Sequence, residues 1–151
     1  MANDLFCLNL SIFGERLQDI IFDYNLSVPG LATLINVPKS TIYRYTTGKF
    51  LPSLKIALKL SQLFNCTLDY LFGIEEENRA TNLTILSSFS KRLTELMETR
   101  KITVLHIEKN TGIDSRNIYY WLKNRQPTIE NVYVLSRYFG CSMDYLIGRI
   151  S

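Results

Sequence analysis

The chain is written twice. Phe13 to Gly73 aligns with Phe89 to Gly148, the two copies lying 76 residues apart at Phe13 and Phe89 and 75 apart at Pro52 and Pro127, once Leu51 has added one residue to the first. Matched pairs include Arg16/Arg92, Leu17/Leu93, Ile42/Ile118, Tyr43/Tyr119, Ser61/Ser136, Phe64/Phe139 and Cys66/Cys141, and the copies close on C-T-L-D-Y-L-F-G and C-S-M-D-Y-L-I-G. A repeat of about 60 residues is too long for a solenoid unit and has the size of a small self-contained domain. Whatever surface one copy offers, the molecule offers twice.

So short a copy sits near the lower limit for burying a core without a disulfide or a metal. Neither staple is expected. There are three Cys, no C-x-x-C spacing and a single His, so no metal site and no cofactor are anticipated. Cys66 and Cys141 read as small buried hydrophobes. A bundle of short helices is the economical answer, and 7 Gly, 4 Pro and no strictly alternating runs speak against a β fold. No stretch approaches the ~18 apolar residues of a membrane span, and the opening residues lack a signal-peptide pattern, so a cytoplasmic protein is expected.

The apolar periodicity predicts the same helices in each copy. Phe13, Leu17, Ile20, Ile21 and Tyr24 form one stripe, echoed by Phe89, Leu93, Leu96 and Met97, with Ser11 and Ser87 in the capping positions. Ser27 and Thr103 cap a second, short helix carrying Leu31, Leu34 and Ile35, or Ile107. A turn at Asn36-Val37-Pro38, or Gly112-Ile113-Asp114, leads to a third helix over Lys39–Thr47, or Ser115–Lys123, ending near Gly48 or Asn124. Asn and Gly enter the left-handed conformation at least cost, which is what such turns need. A fourth helix follows Pro52-Ser53 or Pro127-Thr128. A last short one carries Asp69 or Asp144, each placed to favour the positive end of that helix. Tyr45 and Trp121 share a face with Ile42 and Ile118 and are predicted core residues. The domains are read as 1–74 and 87–151, with 75–86, including the acidic run Glu75-Glu76-Glu77, as a linker.

The middle helices are the informative part. Two short helices joined by a tight turn cross steeply and leave one face of the second exposed. With F-x-x-R-L before them and P-[ST] and D-Y-L-x-G after, each copy resembles the lambda-repressor-like, Cro-type helix-turn-helix family, also called the xenobiotic-response-element family. The resemblance implies an all-α chain of two tandem five-helix domains and a transcriptional regulator that binds double-stranded DNA sequence-specifically. Its base-reading positions fall on Lys39, Ser40 and Arg44 in the first copy and Ser115, Arg116 and Tyr120 in the second. Thr41, Tyr43, Asn117 and Tyr119 lie beside them on the same helices. Lys49, Lys123 and Arg125 fall where phosphates would be neutralised, and the helix starts at Ser27 and Thr103 also suit phosphate. Arg44 and Arg116 are candidates for bidentate contacts to guanine.

This sequence departs from the family pattern in places. Val28 and Val104 stand where Gln is usual. Glu108 stands where a small residue is expected, as Ala32 is. Thr46 and Leu122 replace a Glu that pairs with the F-x-x-R arginine, leaving Arg16 and Arg92 to find phosphate or another carboxylate. His106 reads as a solvated surface residue.

Charge is uneven. Residues 1–74 carry six Lys or Arg against five Asp or Glu, whereas 79–151 carry eleven against six. A basic excess suits a polyanionic partner. If both copies enter the major groove on one side of the duplex, their centres are expected about one helical turn, roughly 34 Å, apart. A homodimer remains open, and no small-molecule ligand is evident. With no phosphate loop, nucleophile elbow or titratable cluster, an enzyme is not expected. The alternative is a protein-interaction or dimerisation module in which one copy no longer touches DNA, with Phe22, Tyr24 and Phe50 as its exposed aromatics.

Overall fold

A computed structural model describes residues 7–149. It divides into two compact units, Leu8–Ala80 and a second built from residue 81 onward. In the first, α1 (Leu10–Asp23), α2 (Val28–Ile35), α3 (Lys39–Thr46), α4 (Leu54–Leu63) and α5 (Leu68–Leu71) follow one another. The second repeats the order with α6 (Phe89–Arg100), α7 (Val104–Thr111), α8 (Ser115–Leu122), α9 (Ile129–Phe139) and α10 (Met143–Leu146). Extended pairing among the described residues is confined to an isolated bridge between Ile85 and Arg149, so the molecule is all-helical. None of its described helices is long and apolar enough to cross a membrane.

Helices this short are not stable alone and depend on caps and on burying one face. Side-chain oxygens of Asn9, Ser27, Ser53 and Thr67 accept from the first turns of α1, α2, α4 and α5. Ser88, Thr103, Asp114, Thr128 and Ser142 do the same for α6 to α10. Two caps differ from expectation. Asn9, not Ser11, caps α1, because the helix begins earlier and places Ser11 inside it. Ser88, not Ser87, caps α6, because the helix begins at Phe89; Ser87 lies one residue outside and donates its N–H to the Gly148 carbonyl at 3.2 Å. The third helix of each copy stops one residue sooner than predicted, with Thr47 and Lys123 as C-caps. Gly48 and Asn124 follow at φ +73°.

The first core gathers Phe13, Leu17, Leu31, Ile42, Tyr45, Leu60, Leu68 and Leu71; the second gathers Phe89, Leu93, Ile107, Ile118, Trp121, Val132, Leu135 and Leu146. Each such side chain contributes about 1.5–3 kcal/mol by leaving water. Phe13 meets Tyr45 edge-on at 6.0 Å between ring centroids, and Phe89 meets Trp121 likewise at 6.0 Å. Tyr45 and Trp121 are therefore core residues, and burial pushes the Tyr45 phenol above its usual range.

Three apolar assignments are corrected. Tyr24 is 52% exposed. It sits at the C-cap of α1, where its hydroxyl donates to the Phe64 carbonyl at 2.8 Å. In the second copy Arg100 stands in its place and donates to the Phe139 carbonyl, so two different side chains satisfy the same helix end. Leu34 is exposed beside a groove of about 440 Å³ between the ends of α2 and α4. Cys141 is half-buried, unlike Cys66.

Arg16 and Arg92 find partners inside their own units. The Arg16 guanidinium lies 4.0 Å over the Tyr70 ring and donates to the Tyr70 carbonyl at 2.7 Å. Arg92 lies 4.0 Å over Tyr145 and donates to the Tyr145 carbonyl at 2.9 Å. Carboxylates of Glu76 and Glu95 stand 3.4 Å and 3.8 Å away. These arginines fasten the first helix to the last and do not reach outward. Asp144, fully buried, pairs with the equally buried Arg149 at 3.2 Å. Its acid group answers a cation as well as a helix end.

Candidate nucleic-acid interface

The turn between α2 and α3 is made by Asn36 in the left-handed conformation (φ 57°, ψ 53°), and that between α7 and α8 by Gly112 (φ 79°, ψ 2°). The left-handed residue reverses the chain within a few positions, so the next helix starts across the end of the one before. Burying Ile42, Tyr45 and Thr46 in one copy and Ile118 and Trp121 in the other then fixes the rotation of α3 and α8. What remains outward follows from helical periodicity. Lys39, Ser40, Tyr43 and Arg44 are exposed on α3, with Thr41 half-buried; Arg116, Asn117, Tyr119 and Tyr120 are exposed on α8, with Ser115 half-buried. Lys49, Lys123 and Arg125 are exposed just after these helices, and Ser27 and Thr103 at the starts of α2 and α7.

Close packing holds α3 and α8 in place from behind. A Cβ built on Gly14 would stand 2.8 Å from the Tyr45 carbonyl oxygen and 2.9 Å from that of Thr46. The first helix therefore touches the backbone of α3. The Thr46 carbonyl accepts from Gln18 Nε2 at 2.7 Å, and its counterpart on Leu122 accepts from Ser90 Oγ at 2.8 Å.

The two outward faces differ in chemistry. Arg44 lies 5.5 Å over the Phe50 ring, while in the second copy the ring is on the helix and the cation follows it, Arg125 lying 4.8 Å over Tyr120. Pro38 precedes α3 and offers no side-chain cap. The start of α8 instead has two carboxylates. Asp114 accepts from the Arg116 N–H at 2.8 Å, and Glu108 reaches across the turn to accept from the Ser115 N–H at 2.5 Å. That contact accounts for an acid where a small residue was expected. Neither Asp114 nor Glu108 stands out as a functional residue in the sequence, although an Asp just before a helix is an N-cap signal. Glu108 is identified only by the fold. His106 is exposed as expected, but its Nδ1 lies against the Tyr138 hydroxyl.

Paired short helices, the second with one edge in the core and a polar, cationic face outside, define a DNA-binding protein of the helix-turn-helix class. Residues 24–71 match the family model described as helix-turn-helix, and residues 92–150 the model described as Cro/C1-type HTH DNA-binding domain. Two relatives from Archaeoglobus fulgidus, each described as an uncharacterized HTH-type transcriptional regulator, are 32% and 31% identical to this chain over 62 residues. Those alignments cover 87% and 89% of the relatives but 41% of this chain, one copy's worth. No solved structure matches the chain. The chain belongs to the Cro/C1-type helix-turn-helix family of transcriptional regulators and carries the module in tandem.

Proposed function

We propose that this protein regulates transcription by reading duplex DNA sequence-specifically with both copies, α3 and α8 each entering a major groove. In this reading the domains are 1–74 and 87–151, and the two half-sites differ in sequence. The observation that carries it is the pair of outward faces, Lys39/Ser40/Arg44 and Ser115/Arg116/Tyr120, presented by helices of matched position. Lys49, Lys123 and Arg125 supply phosphate contacts beside them, and Thr41, Tyr43, Asn117 and Tyr119 lie at the groove edges. Base contacts specify and phosphate contacts orient, so the two groups of residues have separable effects.

A salt titration of binding, followed by fluorescence anisotropy with selected and random duplexes, tests the reading. Direct binding gives an affinity that falls steeply with salt. Arg44→Ala and Arg116→Ala are each expected to relax preference at a different half-site. Loss of preference from only one of the two substitutions means that a single copy reads DNA. Salt-insensitive or absent binding would favour a module that docks on protein.

A further inference from the structure

We infer that Asp114 is a positioning residue that holds the Arg116 guanidinium with one edge free for a single guanine, and so makes the second copy the stricter reader. The inference rests on α8 being a base-reading helix. Arg116 lies two residues beyond Asp114, and the carboxylate grips the side-on edge of its guanidinium. Nε donates to Oδ1 at 3.2 Å and to Oδ2 at 3.3 Å, and Nη2 donates to Oδ2 at 2.8 Å. The same carboxylate accepts from the Arg116 N–H at 2.8 Å, so one group fixes both the backbone and the tip of the residue.

A guanidinium has five N–H donors in a rigid fork. With the Nε/Nη2 edge occupied, both hydrogens of Nη1 and one of Nη2 remain, and one from each nitrogen forms the end-on edge. Guanine offers two acceptors in the major groove, O6 and N7, and that edge can donate to both. The Arg116 side chain is otherwise 81% exposed. An exposed, untethered arginine beside a duplex is readily captured by the nearest phosphate, a contact without sequence information. The carboxylate opposes that outcome in two ways. It restricts the side-chain rotamers before binding, and it repels a phosphate that would take its place. The Arg116 side-chain hydrogen bonds, then its backbone N–H, hold the Asp114 carboxyl down to about 2, so it is ionised at any pH at which the duplex is intact.

The first copy lacks this device. Pro38 and Ser40 occupy the positions of Asp114 and Arg116, and Pro38 makes no side-chain cap. Its cations are Lys39, without such a partner in the sequence beside it, and Arg44, which rests on the Phe50 ring. The two copies should therefore divide the work. The first reads with a looser preference, and the second with a demand for guanine.

The test uses the full chain. Duplexes selected from a random pool define the site, and anisotropy then measures affinity for that site and for versions with each guanine replaced in turn. In the wild type, replacing one guanine is expected to cost roughly five- to hundred-fold, the size of one good bidentate contact, and Arg116→Ala abolishes that dependence. Asp114→Ser keeps an oxygen to cap the Arg116 N–H but cannot grip the guanidinium. It is expected to retain helical circular dichroism and to bind random duplex at least as tightly as wild type, because the released Arg116 can then take a phosphate, while losing most of the discrimination at that guanine and none elsewhere. Asp114→Asn, which preserves shape without charge, provides the second reading should the serine variant fold poorly. Full guanine discrimination in both Asp114 variants overturns the inference while leaving DNA reading by α8 intact, and the same preference surviving in Arg116→Ala overturns it too. A wild-type chain with no salt-dependent duplex binding overturns the reading of α8 and this inference together.

Discussion

Gly14 shows how a single missing carbon sets the position of α3. Replacing Gly with Ala in mid-helix ordinarily stabilises by about 1 kcal/mol. Here the new Cβ would meet two backbone carbonyls of α3 below 3.0 Å, and backbone cannot swing aside as a side chain can. Overpacking of this kind costs about 1–3 kcal/mol, so Gly14→Ala is expected to lower stability on urea unfolding despite its helix propensity. Ser90 occupies the matching position with a side chain that donates to Leu122, so the second copy solves the same approach by hydrogen bonding. Asp114 carries the pH prediction at this scale. Its carboxyl titrates near 2 when folded, against an ordinary 3.8, chiefly through hydrogen bonds from Arg116. A depressed acid group contributes stability that is present above its unfolded value and is lost as pH falls toward the folded one. The Asp114 carboxyl carbon followed by NMR should therefore shift with a midpoint near 2, and in Arg116→Ala the midpoint should move up toward the ordinary range.

Among the elements, the turns and half of the expected caps were legible in the sequence. Ser27 and Thr103 cap α2 and α7 as their positions predict, and Ser53 and Thr128 stand just before α4 and α9 as expected and cap them, because a short hydroxyl in extended backbone can accept from the first turn. Thr128→Ala should cost about 1 kcal/mol of stability, seen as a lower urea midpoint, with duplex affinity unchanged because α9 lies outside the proposed reading face. What periodicity alone could not say was where a helix begins when two serines compete. Ser88 is the cap because α6 begins at Phe89, while Ser87, one residue outside, donates its N–H to Gly148 near the far end of the copy. The arginines of F-x-x-R were similarly ambiguous. Their partners are tyrosines more than 50 residues away, Tyr70 and Tyr145, a pairing invisible without the fold. Arg92→Ala removes a charged hydrogen bond and a cation–π contact and is expected to cost about 1–3 kcal/mol. Duplex affinity in that variant, measured under conditions where it remains folded, should match wild type.

For the molecule as a whole, the cations carried by both copies give a prediction that neither copy alone would. Removing a single phosphate-binding cation should reduce the slope of log affinity against log salt by roughly one. Lys123→Ala and Lys49→Ala should each weaken binding to all duplexes alike and flatten that slope, whereas Arg116→Ala should act chiefly on one base. A titration of these three variants at several salt concentrations separates the two kinds of interaction. The duplication itself, and with it the presence of two helix-turn-helix modules, was readable from spaced identities such as Arg16/Arg92 and Tyr43/Tyr119. The chemical inequality of the two faces was only half readable. Arg116 could be singled out from the sequence, but not the carboxylate that grips it.

The amino-acid order alone determined the helices, the left-handed turns at Asn36 and Gly112, and the core stripes, because caps, backbone preference and apolar spacing act over a few residues. Tertiary structure decided the rest: which serine caps α6, what Arg16 and Arg92 hold, how closely α1 approaches α3, and how Glu108 and Asp114 share the start of α8. Those outcomes depend on groups brought together by folding. Most are distant along the chain, and local rules cannot rank partners that only a packed core places within reach.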